Sequence, residues 1–202
     1  MTEPFTTLTS KVIPLPYSNV DTDQIIPAVY LKVTNKDGLA EGCFSRWRYE
    51  ADGTPKADFP LNMPEYRDAR ILLAGDNFGT GSSREHAPWA LMGCGIRAVI
   101  STSFADIFRN NSLKNGLLPV IVDQQTQDQL FSLADEDPAF QLTIDLGQQI
   151  LHLPDGRRVT FPIDAFSKTC LLEGVDQLGY LLKQSAKIAE YERAHPIPGG
   201  LS

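Results

Sequence analysis

The apolar run Ile71-Leu72-Leu73-Ala74 leads without a break into Gly75-Asp76-Asn77-Phe78-Gly79-Thr80-Gly81-Ser82-Ser83-Arg84-Glu85-His86-Ala87-Pro88, and this stretch constrains the chain more than any other. Four apolar residues bounded by turn formers suit a buried strand, and Trp89-Ala90-Leu91-Met92 beyond the loop suits a helix. Glycine permits positive φ and close backbone approach, so Gly75, Gly79 and Gly81 are expected to turn successive N–H groups inward as a concave anion site. Proline fixes where the helix begins. Were Ser82 the N-cap, with Glu85 closing a capping box, Pro88 would lie inside the helix, removing a hydrogen bond and clashing with the preceding turn. Proline is tolerated at a helix start, so the helix is expected to begin near Pro88. Residues 75–87 then form an irregular loop at a strand end, where open α/β sheets place their ligands.

Familiar glycine motifs do not account for this loop. No Lys follows the glycines as a phosphate-binding P-loop requires, Arg84 stands where a dinucleotide fingerprint has its third Gly, and there is no Gly-x-Ser-x-Gly elbow. The net charge of −7 argues against nucleic acid and anionic membrane as partners, so an anionic ligand would need a local cation. No apolar run approaches the ~20 residues of a membrane span, and the start of the chain, with acidic Glu3, does not read as a signal peptide. A cytoplasmic location is expected. Cys43, Cys94 and Cys170 are widely separated and form no Cys-x-x-Cys pair, so buried free thiols are expected. His86, His152 and His195 are likewise isolated. A metal, if the chemistry needs one, is expected from another chain.

Taken in order, Lys11–Leu15 reads as a first strand and 19–27 as a loop in which Asp21 and Asp23 suit an Asx turn. Residues 28–34 form an amphipathic segment. Residues 35–68, rich in Gly, Pro and charge, read as a long excursion rather than a second core. Cys43, Phe44, Trp47, Arg48 and Tyr49 would pin the excursion down or serve an interface. Arg97–Ser101 and Leu118–Val122 read as strands around a helix from Ser103, its candidate cap, to Asn115, with Gly116 as stop. This alternation predicts an α/β layer with parallel strands. The polar residues of that helix are expected on its exposed side. A helix over 124–134, a strand over 141–146 and a hairpin about Pro154-Asp155-Gly156 follow. Finally, 175–194 has a helical pattern with Leu178, Leu181, Leu182, Ala186, Ile188 and Ala189 near one stripe, before a tail from His195.

The glycine loop, the run Asp21-Thr22-Asp23-Gln24-Ile25-Ile26-Pro27 and the stretch from Ser103 through Pro119 resemble segments of the swivelling domain of the aconitase superfamily. From about Thr9 to Glu192 the chain resembles the small subunits of bacterial 3-isopropylmalate dehydratases. The resemblance implies an α/β fold, a swivelling β/β/α domain with a mixed, partly parallel sheet, spanning 1–202 as one domain. It implies a hydro-lyase of leucine biosynthesis that isomerises 2-isopropylmalate to 3-isopropylmalate by dehydration and rehydration. This chain would bind no cofactor; a [4Fe–4S] cluster would sit in a large-subunit partner, and the substrate would be a small malate-type acid. By the same resemblance Ser82 matches a catalytic serine alkoxide and Asp23 a carboxylate near the active centre. Ser83 and Arg84 match substrate-binding positions. Tyr30, Leu31 and Val33 fall in the segment that meets the substrate's variable group. Relatives acting on citrate or homocitrate carry an Arg there, whereas this chain has none between Gln24 and Arg46, which suits an isopropyl group. Lys32 either contacts a carboxylate or points into water. Three other readings stay open: the small subunit of a homoaconitase or methylmalate dehydratase, a Ser/His hydrolase using His86 as base, and a non-catalytic anion-binding module.

Overall fold

The computed structural model describes residues 3–32 and 38–195, with Leu31 and Lys32 described at the backbone only. Seven strands form one sheet: β1 (Thr7–Leu15), β2 (Ile71–Ala74), β3 (Ala98–Ser101), β4 (Leu118–Ile121), β5 (Gln141–Asp145), β6 (Ile150–His152) and β7 (Arg158–Thr160). Their order is β4-β3-β2-β1-β5-β6-β7. The pairs from β4 to β1 are parallel, and those from β1 through β5 and β6 to β7 are antiparallel. Parallel strands covered on both faces should be apolar throughout, as β2 is and as β3 is up to Ser101, whose buried hydroxyl donates to Gly75 O. Side chains alternate between the faces. Ile13, Leu15, Leu72, Ala74 and Val99 enter one core, while Val12, Ile71, Leu73, Ala98 and Ile100 enter the other. Pro119, which cannot donate to a ladder, is tolerated because β4 is an edge strand.

Strand β1 starts four residues earlier than the apolar run predicts. Its first half, Thr7 to Lys11, pairs with β5, and Val12 to Leu15 pairs with β2. Thr7 and Thr9 face out while Leu8 and Ser10 face in, so the polar half hides a period-2 strand.

The helices are α1 (Thr22–Ile25), α2 (Leu39–Gly42), α3 (Ser45–Arg48), α4 (His86–Gly93), α5 (Asp106–Asn115), α6 (Gln124–Glu136), α7 (Ala165–Glu173), α8 (Gln177–Lys183) and α9 (Ser185–Ala194). Helix α4 and the excursion cover the first face; α6 and α7 cover the second. The excursion forms no core of its own. Cys43 and Phe44 are fully buried in the first core, the Phe44 N–H donates to Ile25 O at 2.7 Å, and the Phe44 ring stacks on Trp47 with centroids 5.7 Å apart.

Three expectations need correction. Helix α5 begins at Asp106 rather than at Ser103, whose hydroxyl is committed to Asp76 Oδ1 at 2.7 Å; the Gly116 stop stands, with φ 91°. Asn111, expected on the exposed side, is buried. The single helix over 175–194 is two, α8 and α9, meeting at Gln184, and Leu178, Leu181, Leu182 and Ile188 are exposed rather than packed. Helix α7, capped by Asp164 accepting from the Ser167 N–H at 2.8 Å, has no counterpart in the sequence reading. The tail from 196 lies outside the described residues.

Candidate active site

Because β1, β2 and β3 run parallel, the chain leaves all three at the same edge of the sheet, and the loops that follow meet there. The loop after β2 is anchored before it reaches Ser82. Phe78 is fully buried, with its ring edge-on to Phe108 at 5.3 Å. Gly79 runs so close to Phe108 that a Cβ would stand 2.2 Å from its ring, and its φ of +81° also favours glycine. Gly75 passes against the Tyr17 carbonyl, where a Cβ would approach to 2.5 Å. The glycines therefore serve close backbone passage.

The expected ring of inward N–H groups is only partly present. The N–H of Gly75 donates to Leu15 O, those of Gly79 and Thr80 to Val20 O, and that of Phe78 to Ser103 O. Those of Asp76 and Asn77 go to Ser18 Oγ and Ser103 Oγ. Donors without a described partner begin at Gly81, so an anion would be held by the segment around Ser82 rather than by the whole loop.

The loop after β1 crosses this segment. Asp21 bridges Thr80 in parallel register, and the Thr22 N–H donates to Thr80 O at 2.8 Å. Asp21 caps α1 in a complete capping box with Gln24, so in place of the expected Asx turn it accepts from an N–H three residues on and serves as a helix N-cap. Asp23 is freed from that task. Its carboxylate pairs with Nη1 of Arg84, linking the two loops across a separation of 61 residues. Among the described residues the other guanidinium nitrogens of Arg84 have no partner.

Ser82 and Ser83 are exposed. Thr22, fully enclosed, donates its hydroxyl to Ser82 O at 3.1 Å and lies 3.4 Å from Ser82 Oγ. The sequence reading gave Thr22 no role, although it stands between the two aspartates. Ser82 does not cap α4, which starts at His86, two residues before the expected Pro88; no side chain caps it. Pro88 thus falls in the first turn, where its missing N–H costs nothing. His86 packs its ring on Trp89, 5.0 Å between centroids.

The structure thus brings together Asp23, Ser82 and Arg84, with Ser83 beside them, and adds Thr22. Tyr30, half-buried in a 3-10 turn over Ala28–Lys32, packs against Gly42 and lines a cleft of 830 Å³ with Glu41, Ser45, Arg46 and Tyr49. Leu31 belongs to the same turn by its backbone, and Val33 lies outside the described residues. Among the described residues no three His, Cys, Asp or Glu side chains converge as metal ligands would, so the donor set a cluster needs is not assembled from them. No helix among them is long and apolar enough to cross a membrane.

Residues 2–125 match the family model of the aconitase C-terminal domain, and residues 128–165 match that of LeuD_N. The 3-isopropylmalate dehydratase small subunit of Chloroflexus aggregans is 64% identical over 97% of this chain and 96% of its own length. That of Roseiflexus sp. is 61% identical over 96% of this chain and 95% of its own, and that of Anaeromyxobacter dehalogenans 56% over 94% and 97%. Among solved structures, the 3-isopropylmalate dehydratase (leuD) of Methanocaldococcus jannaschii superposes with a TM-score of 0.66 at 28% identity, covering 92% of this chain and 99% of that one.

Proposed function

The chain belongs to the family of 3-isopropylmalate dehydratase small subunits, built on the aconitase C-terminal domain, and from that premise we propose that it is the small subunit of a hydro-lyase isomerising 2-isopropylmalate to 3-isopropylmalate in leucine biosynthesis. The reaction removes water and re-adds it in the opposite sense. A weakly acidic C–H proton must be taken, and a hydroxide must leave.

Ser82 Oγ takes the carbon-bound proton. A free serine is a poor base, so its alkoxide needs nearby positive charge and N–H donors. The N–H groups of Gly81, Ser82 and Ser83, for which no partner is found among the described residues, and the guanidinium of Arg84 supply them. Arg84 also holds a substrate carboxylate through the nitrogens that Asp23 leaves available, and a planar fork orients a carboxylate better than a flexible ammonium. Asp23 fixes the guanidinium. Ser83 donates to the same carboxylate, and Tyr30, Leu31 and Val33 are assigned to selecting the isopropyl group on the family resemblance alone, Val33 and the Leu31 side chain lying outside the described residues. Departure of the hydroxide calls for a Lewis acid, which a [4Fe–4S] cluster held by the large subunit would supply.

One observation carries the reading: Ser82 and Ser83 stand exposed, and the one cation of the glycine loop is already paired with Asp23. A dicarboxylate needs more positive charge than this, and an alkoxide needs walls that exclude water. A second chain closing over the loop, as a lid closes, would provide both. The test is dehydration of 3-isopropylmalate by the chain alone and with an anaerobically reconstituted iron–sulfur large subunit, with citrate as competing substrate. Turnover in the mixture only, with 3-isopropylmalate preferred, is expected. Turnover by the isolated chain without iron would overturn the proposal and favour a Ser/His hydrolase.

A further inference from the structure

Cys43 and Cys94 lie 51 positions apart in sequence, yet the fold sets them side by side. Each follows the last residue of a helix, Cys43 that of α2 and Cys94 that of α4. The helix ends touch through small residues: a Cβ on Gly93 would lie 3.3 Å from Ala40 Cβ. The carbonyl of Ala40 accepts from the Cys43 N–H at 3.2 Å and also faces Cys94 Sγ, so the two cysteines gather about one carbonyl. Their surroundings differ. Cys43 is fully buried, whereas Cys94 is partly exposed and lines a cavity of 460 Å³ with Arg48, Asn62, Tyr66 and Arg67. Arg48 Nη1 stands 3.7 Å from Cys94 Sγ, which also lies 3.3 Å from Ala40 O. The guanidinium is held in place, since its Nε donates to Asn62 Oδ1 and the Asn62 amide donates back to Arg48 O, both at 2.7 Å.

We propose that Cys94 and Cys43 form a thiol-modification site for low-molecular-weight disulfides such as glutathione disulfide, with Cys94 as the attacking sulfur and Cys43 as the resolving one. A reactive cysteine sits partly exposed beside positive charge, and a burial-locked one is inert until its neighbour reacts. The Cys43 hydrogen bond, and after it the Arg48 charge, pull the Cys94 thiol below its ordinary pKa, while burial pushes Cys43 well above its own. In the first step Cys94 thiolate attacks one sulfur of the disulfide, forming a mixed disulfide and releasing one glutathione thiolate. In the second, Cys43 gives up its proton to the departing glutathione and attacks Cys94 Sγ, releasing the second glutathione. Two protein thiols are oxidised and one glutathione disulfide is reduced. The product covalently joins the excursion to the helix that follows the glycine loop.

The site is tested by exposing the folded chain to glutathione disulfide, trapping remaining thiols with an alkylating reagent and mapping peptides by mass without reduction. Wild type should lose two hydrogens, with Cys43 and Cys94 in one cross-linked peptide. Cys43→Ser should accumulate one glutathione on Cys94, and Cys94→Ser should carry neither adduct nor cross-link. Arg48→Gln should slow reaction at Cys94 several-fold. Cys170, a buried thiol on α7 whose pKa burial raises, is the internal control and should stay unmodified. Reaction at Cys170 alone, an adduct on Cys43 in Cys94→Ser, no reaction at either cysteine, or a wild type that stops at the Cys94 adduct would each overturn the assignment.

Discussion

Replacing Thr22 by valine keeps the shape of a fully enclosed side chain and removes the hydroxyl that holds Ser82 by its carbonyl and stands beside its Oγ. If Thr22 positions the base, Thr22→Val should lower kcat about tenfold, the scale of one hydrogen bond, with KM nearly unchanged. A change in KM alone would assign Thr22 to binding instead. Steady-state kinetics of the assembled enzyme separates the two. At this scale the grouping of Ser82, Ser83 and Arg84 is legible in sequence, because they are neighbours along the chain. The partners of that loop are less so. Asp23 is named through its resemblance to a motif, while the Thr22 contact depends on two loops that cross only after the sheet has formed.

Among the elements, the loop after β2 is anchored where Gly79 passes against Phe108. Gly79→Ala would place a methyl group against Phe108 and force a left-handed backbone, and overpacking with that strain should cost about 2–4 kcal/mol. Denaturant unfolding should show a lower midpoint, and a midpoint equal to wild type would mean that the loop is not anchored on Phe108. A second tie joins this loop to the one after β3. Asp76 accepts from Thr102 Oγ1 at 2.6 Å and from Ser103 Oγ at 2.7 Å, and these bonds, Thr102 first, hold its carboxyl below the usual carboxylate range. Its folded pKa lies below its unfolded one, so its contribution is present in full above the unfolded value, about 4, and is lost as pH falls through the folded value. The stability gap between wild type and Asp76→Ala should therefore be constant near neutrality and narrow below about pH 4. Urea unfolding across pH checks this, and a gap that widened on acidification would contradict it. The strands β2 and β3 are legible because parallel strands buried on both faces carry apolar runs, Ile71–Ala74 and Ala98–Ile100. The start of β1 is not, because its polar outward face masks the alternation, and Ser103 misleads because a hydroxyl that suits a helix cap suits Asp76 equally well.

For the whole molecule, the mixed sheet follows from the strand–helix alternation of the middle of the chain and the hairpin near its end. The helices after β7 are less legible. A stripe of leucines over 175–194 satisfies the helical period whether it faces a core or solvent, and periodicity does not distinguish them. The same limit applies to the thiols: Cys43 and Cys94 read as unrelated until α2 and α4 pack end to end. What the fold presents as a candidate site is an exposed serine hydroxyl beside a guanidinium paired with a carboxylate. The central claim is that Ser82 moves the proton once a large subunit closes over it, and it is tested most directly by Ser82→Ala in the reconstituted enzyme at saturating 3-isopropylmalate. Ser82 is exposed, so the variant should fold and assemble as wild type does, with kcat reduced about a thousandfold and substrate binding little changed. A variant that assembles and turns over within a few-fold of wild type would contradict the account and leave Ser82 a bystander of the loop.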